Sequence, residues 1–129
     1  MATAMTLIER LENDRHLGFE PKPRYHAHGD FVTYFDSADR CVARRLNSLV
    51  TVYTSIADGR FVGCKVKGVK RLLQEMKAFE VMATDGKIAM RFFFYTAAIS
   101  EGEGKQELRD LADRFGNASL PLDEVCTAA

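Results

Sequence analysis

Between Leu49 and Lys67 the chain reads LVTVYTSIADGRFVGCKVK, two alternating runs on either side of Asp58-Gly59. This stretch restricts the fold more than any other, because strand side chains alternate between faces and a one-residue slip reverses every one of them. A tight two-residue turn at Asp58-Gly59 would set Val52 beside Lys65 and Val50 beside Lys67, mixing lysines into the apolar side. A loop one residue longer, with Gly59 left-handed and a bulge, pairs Val52 with Cys64 and Val50 with Val66. Val50, Val52, Ile56, Val62, Cys64 and Val66 then share one face, and Thr51, Tyr53, Phe61, Lys65 and Lys67 share the other. The second register is the one expected.

The same stretch does not make a phosphate-binding loop. Only three residues separate Gly59 from Gly63, Cys64 intervenes before Lys65, no hydroxyl residue follows that lysine, and both flanks read as strands. Gly63 instead suggests a close contact on the outer sheet face.

Phe31–Phe35 and Cys41–Leu46 are further β-rich runs, punctuated by Ser37-Ala38-Asp39 and Asn47-Ser48. Connections this short imply an antiparallel meander. Thr6-Leu7-Ile8-Glu9 has the form of a capping box opening a helix that Gly18 would end. Gly68 opens a second helix through Val69, Leu72, Leu73, Met76 and Phe79. Leu108, Leu111, Ala112 and Phe115 mark a third, ended by Gly116-Asn117. Phe79–Ala83 and Lys87–Ile99 flank Asp85-Gly86 as a second hairpin, with the aromatic run Arg91–Tyr95 as a central strand and the tail from Ser119 peripheral. The expected fold is α+β, an antiparallel β-meander sheet packed with about three helices in a single domain, residues 1–129.

The chain is 47% hydrophobic and 28% charged, a globular profile. No apolar run approaches the ~18 residues of a membrane span, and the N-terminus lacks a signal-peptide pattern. Three scattered cysteines fit a reducing compartment, so a cytoplasmic location is expected. Cys64 faces the inferred core, Cys41 lies beside Arg40 without a sequence-linked histidine, and Cys126 is in the tail. Asp36, Asp39 and Asp58 fall in turns, where carboxylates cap amides. In an extended segment His26, His28 and Asp30 would point the same way as two imidazoles and a carboxylate. Only His16 remains as a further histidine and no cysteine is near, so a polar lead-in to a strand is preferred to a metal site. No catalytic residue, metal or cofactor is assigned.

Net charge is zero, but its distribution is uneven: residues 40–71 hold eight basic side chains against one acid, Asp58. Arg44, Arg45, Tyr53, Lys65, Lys67, Lys70 and Arg71 are therefore the candidate nucleic-acid-binding residues. The alternative is that the basic region is solvated or pairs, within or between chains, with Glu103, Glu107, Asp110 and Asp113 of the acidic C-terminal helix.

Phe35-Asp36-Ser37-Ala38-Asp39, then Leu49–Tyr53, then Asp58-Gly59-Arg60-Phe61-Val62-Gly63-Cys64-Lys65-Val66 together resemble the small bacterial domain of unknown function 2283. That family shows a Tyr-Asp-x-x-x-Asp turn, a β run, and Asp-x-x-Gly-x-Val-Gly-Ile-Glu-Ile before a short helix. The resemblance covers residues 31–73; Lys65 replaces the usual acid, and the intervening segment is shorter. It implies a small antiparallel sheet and no established catalytic residues.

Three functions are open at this level. The first is protein association, with itself as an oligomer or with a protein partner, through Tyr53, Phe61 and part of Phe92–Tyr95. The second is nucleic-acid binding by Arg40–Arg71, and the third a small-ligand or hydrolytic pocket beneath the aromatic strand.

Overall fold

A computed structural model of the chain describes residues 19–78 and 85–127. The capping box at Thr6 and the run Phe79–Ala83 lie outside the described residues. Five strands, β1 (Arg24–His26), β2 (Phe31–Phe35), β3 (Cys41–Arg45), β4 (Val50–Ser55) and β5 (Phe61–Lys67), form an antiparallel sheet in the order β1-β2-β5-β4-β3. The expected register is present: Val50 pairs with Val66 and Val52 with Cys64, with a bulge-like shift at Tyr53/Thr54. Gly59 is left-handed, at φ +74°. Val50, Val52, Val62, Cys64 and Val66 are fully buried. Ile56 departs from the expectation, because β4 ends at Ser55 and leaves it in the turn, 64% exposed.

β3, β4 and β5 follow one another as a meander, but β2 lies beside β5, so the four strands close as a Greek key. The link from β2 to β3 crosses the ends of β5 and β4, roughly 14 Å at the usual strand spacing. Residues 36–40 make that crossing. The Asp36 N–H donates to the Val62 carbonyl and the Ile56 N–H to the Arg40 carbonyl. Arg60 bridges Asp39 and Asp58 at 2.5 and 2.7 Å, fastening the crossing to the β4–β5 turn.

Among the described residues, helices α1 (Val69–Ala78), α2 (Met90–Glu101), α3 (Lys105–Phe115) and α4 (Leu122–Thr127) join the sheet, with a two-stranded ribbon of β6 (Lys87–Ala89) and β7 (Ser119–Pro121). Their buried side chains and those of one sheet face form a single hydrophobic cluster. Of the apolar positions expected in α1, Val69, Leu72 and Met76 are buried and Leu73 is half-buried, while Phe79 lies outside the described residues; α3 buries Leu108, Leu111, Ala112 and Phe115.

Two expectations are corrected. Arg91–Tyr95 is helix rather than central strand: Met90, Phe93, Phe94 and Ala97 recur at i, i+3, i+4 and i+7 and are all fully buried. Helical spacing and a left-handed Gly102 C-cap override the β-preference of the aromatics. The tail is not peripheral, since Ser119–Pro121 pairs with β6 and Leu120 and Val125 join the core. Among the described residues, no helix is long and apolar enough to cross a membrane.

Asn47 is the polar hub of the β3–β4 connection. Its Oδ1 accepts the Leu49 and Val50 amides, each at 2.8 Å, and its Nδ2 donates to the Glu103 carbonyl at 3.2 Å. Asn47→Ala would strand two buried amides. It is expected to cost roughly 2–3 kcal/mol in urea unfolding, whereas Ser48→Ala, at an exposed neighbour, should change stability by under about 0.5 kcal/mol.

Candidate nucleic-acid interface

One face of the sheet is taken by the helices, so the chemistry of the other follows from register. Antiparallel partners share a face, and five consecutive partners form one row across the whole sheet: Arg24, Thr33, Lys65, Thr51 and Arg45. Cations occupy alternate strands of that row, roughly 10 Å apart, with a threonine between each pair. On one side of it lies the row His26, Phe31 and Lys67. On the other lies Phe35, Gly63, Tyr53 and Ala43. The five strands contain no Asp or Glu at all.

The rings are fixed by local contacts. His26 stacks on Phe31 at 4.5 Å and its Nε2 hydrogen-bonds the Thr33 hydroxyl at 3.0 Å. The Lys65 ammonium sits 4.3 Å above the Phe31 ring. Phe35 and Tyr53 pack at 4.9 Å, across the strand that carries Gly63. A Cβ on Gly63 would stand inside contact distance of the Phe35 ring and 2.8 Å from the Tyr34 carbonyl oxygen. The close contact expected at this glycine is thus an aromatic lid. Burial holds the Tyr53 phenol above its ordinary pKa, with Cys41 and Cys64 adding to the shift.

The structure gathers four of the candidate residues on this face, Arg45, Tyr53, Lys65 and Lys67, and separates three. Arg44 pairs with Val52 and so points to the opposite side of β3, where it stays exposed. Lys70 and Arg71 belong to α1, and Arg71 is engaged by Glu75 at 3.0 Å and the Ser100 hydroxyl at 2.6 Å. Arg24, His26, Phe31, Thr33 and Phe35 were not singled out by charge clustering. Their period-two spacing is the signal that could have found them.

Acids sit at the ends of the strands, where they are occupied. The Asp30 carboxylate accepts the Tyr25 hydroxyl at 2.5 Å and the Lys70 amide at the start of α1. Asp36 pairs with Arg114 at 2.9 Å, and Asp39 and Asp58 pair with Arg60. Arg60 lowers the Asp58 carboxyl below its ordinary value, through its backbone amide first and then its side chain. Among the described residues, Arg24, Arg45, Lys65 and Lys67 form no ion pair, and none links the basic candidates to Glu103, Glu107, Asp110 or Asp113.

His26, His28 and Asp30 do not converge. Residues 27–30 form a turn, Asp30 is left-handed at φ +53°, and its carboxylate caps α1. Among the described residues, no three His, Cys, Asp or Glu side chains are grouped to hold a metal. Cys64 is fully buried, and desolvation pushes its thiol far above the ordinary range. Comparison of the chain with protein-family models, with curated proteins and with solved structures finds no match.

Two outcomes follow from this geometry. Gly63→Ala must displace Phe35 or the β2 backbone and is expected to cost roughly 1–3 kcal/mol, with the Phe35 and Tyr53 ring resonances shifting in NMR spectra. Burial, then the bond to Asp30, raises the Tyr25 pKa from 10.0 to about 12. Its contribution to stability is complete below pH 10 and is lost as pH rises through about 12. The stability gap between the parent chain and Tyr25→Phe should therefore be flat up to about pH 10 and close above it, as alkaline urea titrations would show.

Proposed function

We propose that the outer sheet face binds single-stranded nucleic acid. The observation that carries this reading is the acid-free row Arg24, Thr33, Lys65, Thr51, Arg45, flanked by rings on both sides. Three like charges on alternate strands repel by about 0.4 kcal/mol per neighbouring pair in water before screening. A polyanion relieves that repulsion and releases its own counterions on binding. The Thr51 hydroxyl between Lys65 and Arg45 donates to phosphate or sugar oxygens, and Phe35, Tyr53 and the His26–Phe31 stack offer surfaces for unstacked bases. A face four strand spacings wide, about 19 Å, is too broad for the major groove of a duplex. A single strand can lie across it. Two copies docked face to face would set cation against cation, which disfavours this face as a symmetric dimer contact.

Fluorescence anisotropy with a labelled unstructured oligonucleotide tests the reading. Four cations predict a slope of log Kobs on log[salt] near −3, falling to about −1.5 in Lys65→Glu/Lys67→Glu, with at least tenfold weaker binding at low salt. No binding at low salt would end the proposal.

Self-association is a second reading with its own support. Val42 is 54% exposed on edge strand β3, and Ile56 is 64% exposed in the adjoining turn. Edge-to-edge pairing of β3 would cover both, although Arg44 and Arg45 on that edge oppose it. Light scattering after size exclusion should give a dimer that Val42→Lys converts to monomer; a monomeric parent chain removes this reading. Within the aromatic run, Phe93 and Phe94 are fully buried in the core, while Phe92 and Tyr95 border separate clefts.

A further inference from the structure

At one end of the outer face the sheet borders a cleft of about 310 Å³, walled by Phe19, Glu20 and Lys22, the start of the β2–β3 crossing, and Cys41. Three of its lining side chains, Arg24, Thr33 and Phe35, also belong to the outer face. We infer that this cleft receives one nucleotide unit, a terminal or looped-out residue of a strand lying on the face. The inference rests on the nucleic-acid reading above and adds a specific seat to it.

The volume lies at the lower end of the roughly 300–1,000 Å³ typical of small-ligand clefts, which suits a single nucleoside monophosphate better than a larger cofactor. The lining chemistry is two-ended. Arg24 provides a cation for a phosphate and Ser37 a hydroxyl for a base edge, while Lys22 and Glu20 pair with each other at 3.6 Å and Asp39 pairs with Arg60. Phe35 supplies an aromatic surface. The Ser37 Oγ already accepts the Asp39 amide at 3.1 Å, which leaves its hydroxyl hydrogen to donate. The cleft's carboxylates are already paired, which leaves Arg24 as the cation for an anion; one cation holds inorganic phosphate weakly, and a nucleotide, which adds a base for the Phe35 ring and the Ser37 hydroxyl, is the better ligand.

The test is an amide NMR titration of the full chain with the four common ribonucleoside 5′-monophosphates and, separately, inorganic phosphate. At least one nucleotide should produce saturable shifts at Thr33, Phe35, Ser37, Ala38 and Cys41, and inorganic phosphate should not. Cys41→Trp, or Ser37→Trp should the first fold poorly, fills the cleft and should weaken that nucleotide about tenfold, the worth of one lost base contact. Absence of cleft shifts with all four nucleotides, or equal shifts with inorganic phosphate, overturns the inference. Nucleotide binding in the cleft without oligonucleotide binding would remove the extended-face reading and leave the cleft; oligonucleotide binding without cleft shifts would do the reverse.

Discussion

The β4–β5 pairing is the constraint on which the other features depend. With Val52 opposite Cys64 and Val50 opposite Val66, the valines and Cys64 of the two strands enter the core. The same register sends Thr51, Tyr53, Lys65 and Lys67 outward. A one-residue slip would bury two lysines and expose the valines, at a desolvation cost of several kcal/mol per charge. Core and outer face are therefore one choice made once, and the bulge with left-handed Gly59 is its local instrument.

Neighbouring strands inherit that choice. β2 pairs with β5, so Val32 and Tyr34 turn inward while Phe31, Thr33 and Phe35 turn outward. β1 and β3 extend the pattern to both edges, bringing Arg24 and Arg45 into line with Lys65. The acids at the strand ends, Asp30, Asp36, Asp39 and Asp58, lie in the connections, where each binds an amide, an arginine or a tyrosine hydroxyl. Charge is thus balanced over the chain but separated in space, with neutralised corners around a cationic face. Net charge alone hides this arrangement.

The sheet was legible where alternation and turn chemistry agreed, as at Asp58-Gly59 and Asn47-Ser48. α1 and α3 were legible because their apolar residues recur with helical period. The helix at Met90–Glu101 was misread because Phe92, Phe93, Phe94 and Tyr95 have strand preferences, and because a continuous apolar run blurs the period. Burial of Met90, Phe93, Phe94 and Ala97 shows that the helical stripe was there. The place of β2 beside β5 was not readable, since a five-residue link does not reveal that it crosses two strand ends. For the same reason, clustering in sequence gathered Lys70 and Arg71 with Lys65, although α1 carries them away from the sheet's outer face. It also passed over Arg24, which only strand pairing brings into the row.

The central claim is that the outer face, rather than the helical layer, meets a single strand. Photocrosslinking of an oligonucleotide carrying 4-thiouridine, mapped by mass spectrometry at low salt, tests it most directly. Crosslinks at Phe31, Phe35, Tyr53 and Lys65 are the expected result. Crosslinks confined to α2 and α3, or none above the level of Lys65→Glu/Lys67→Glu, would contradict it.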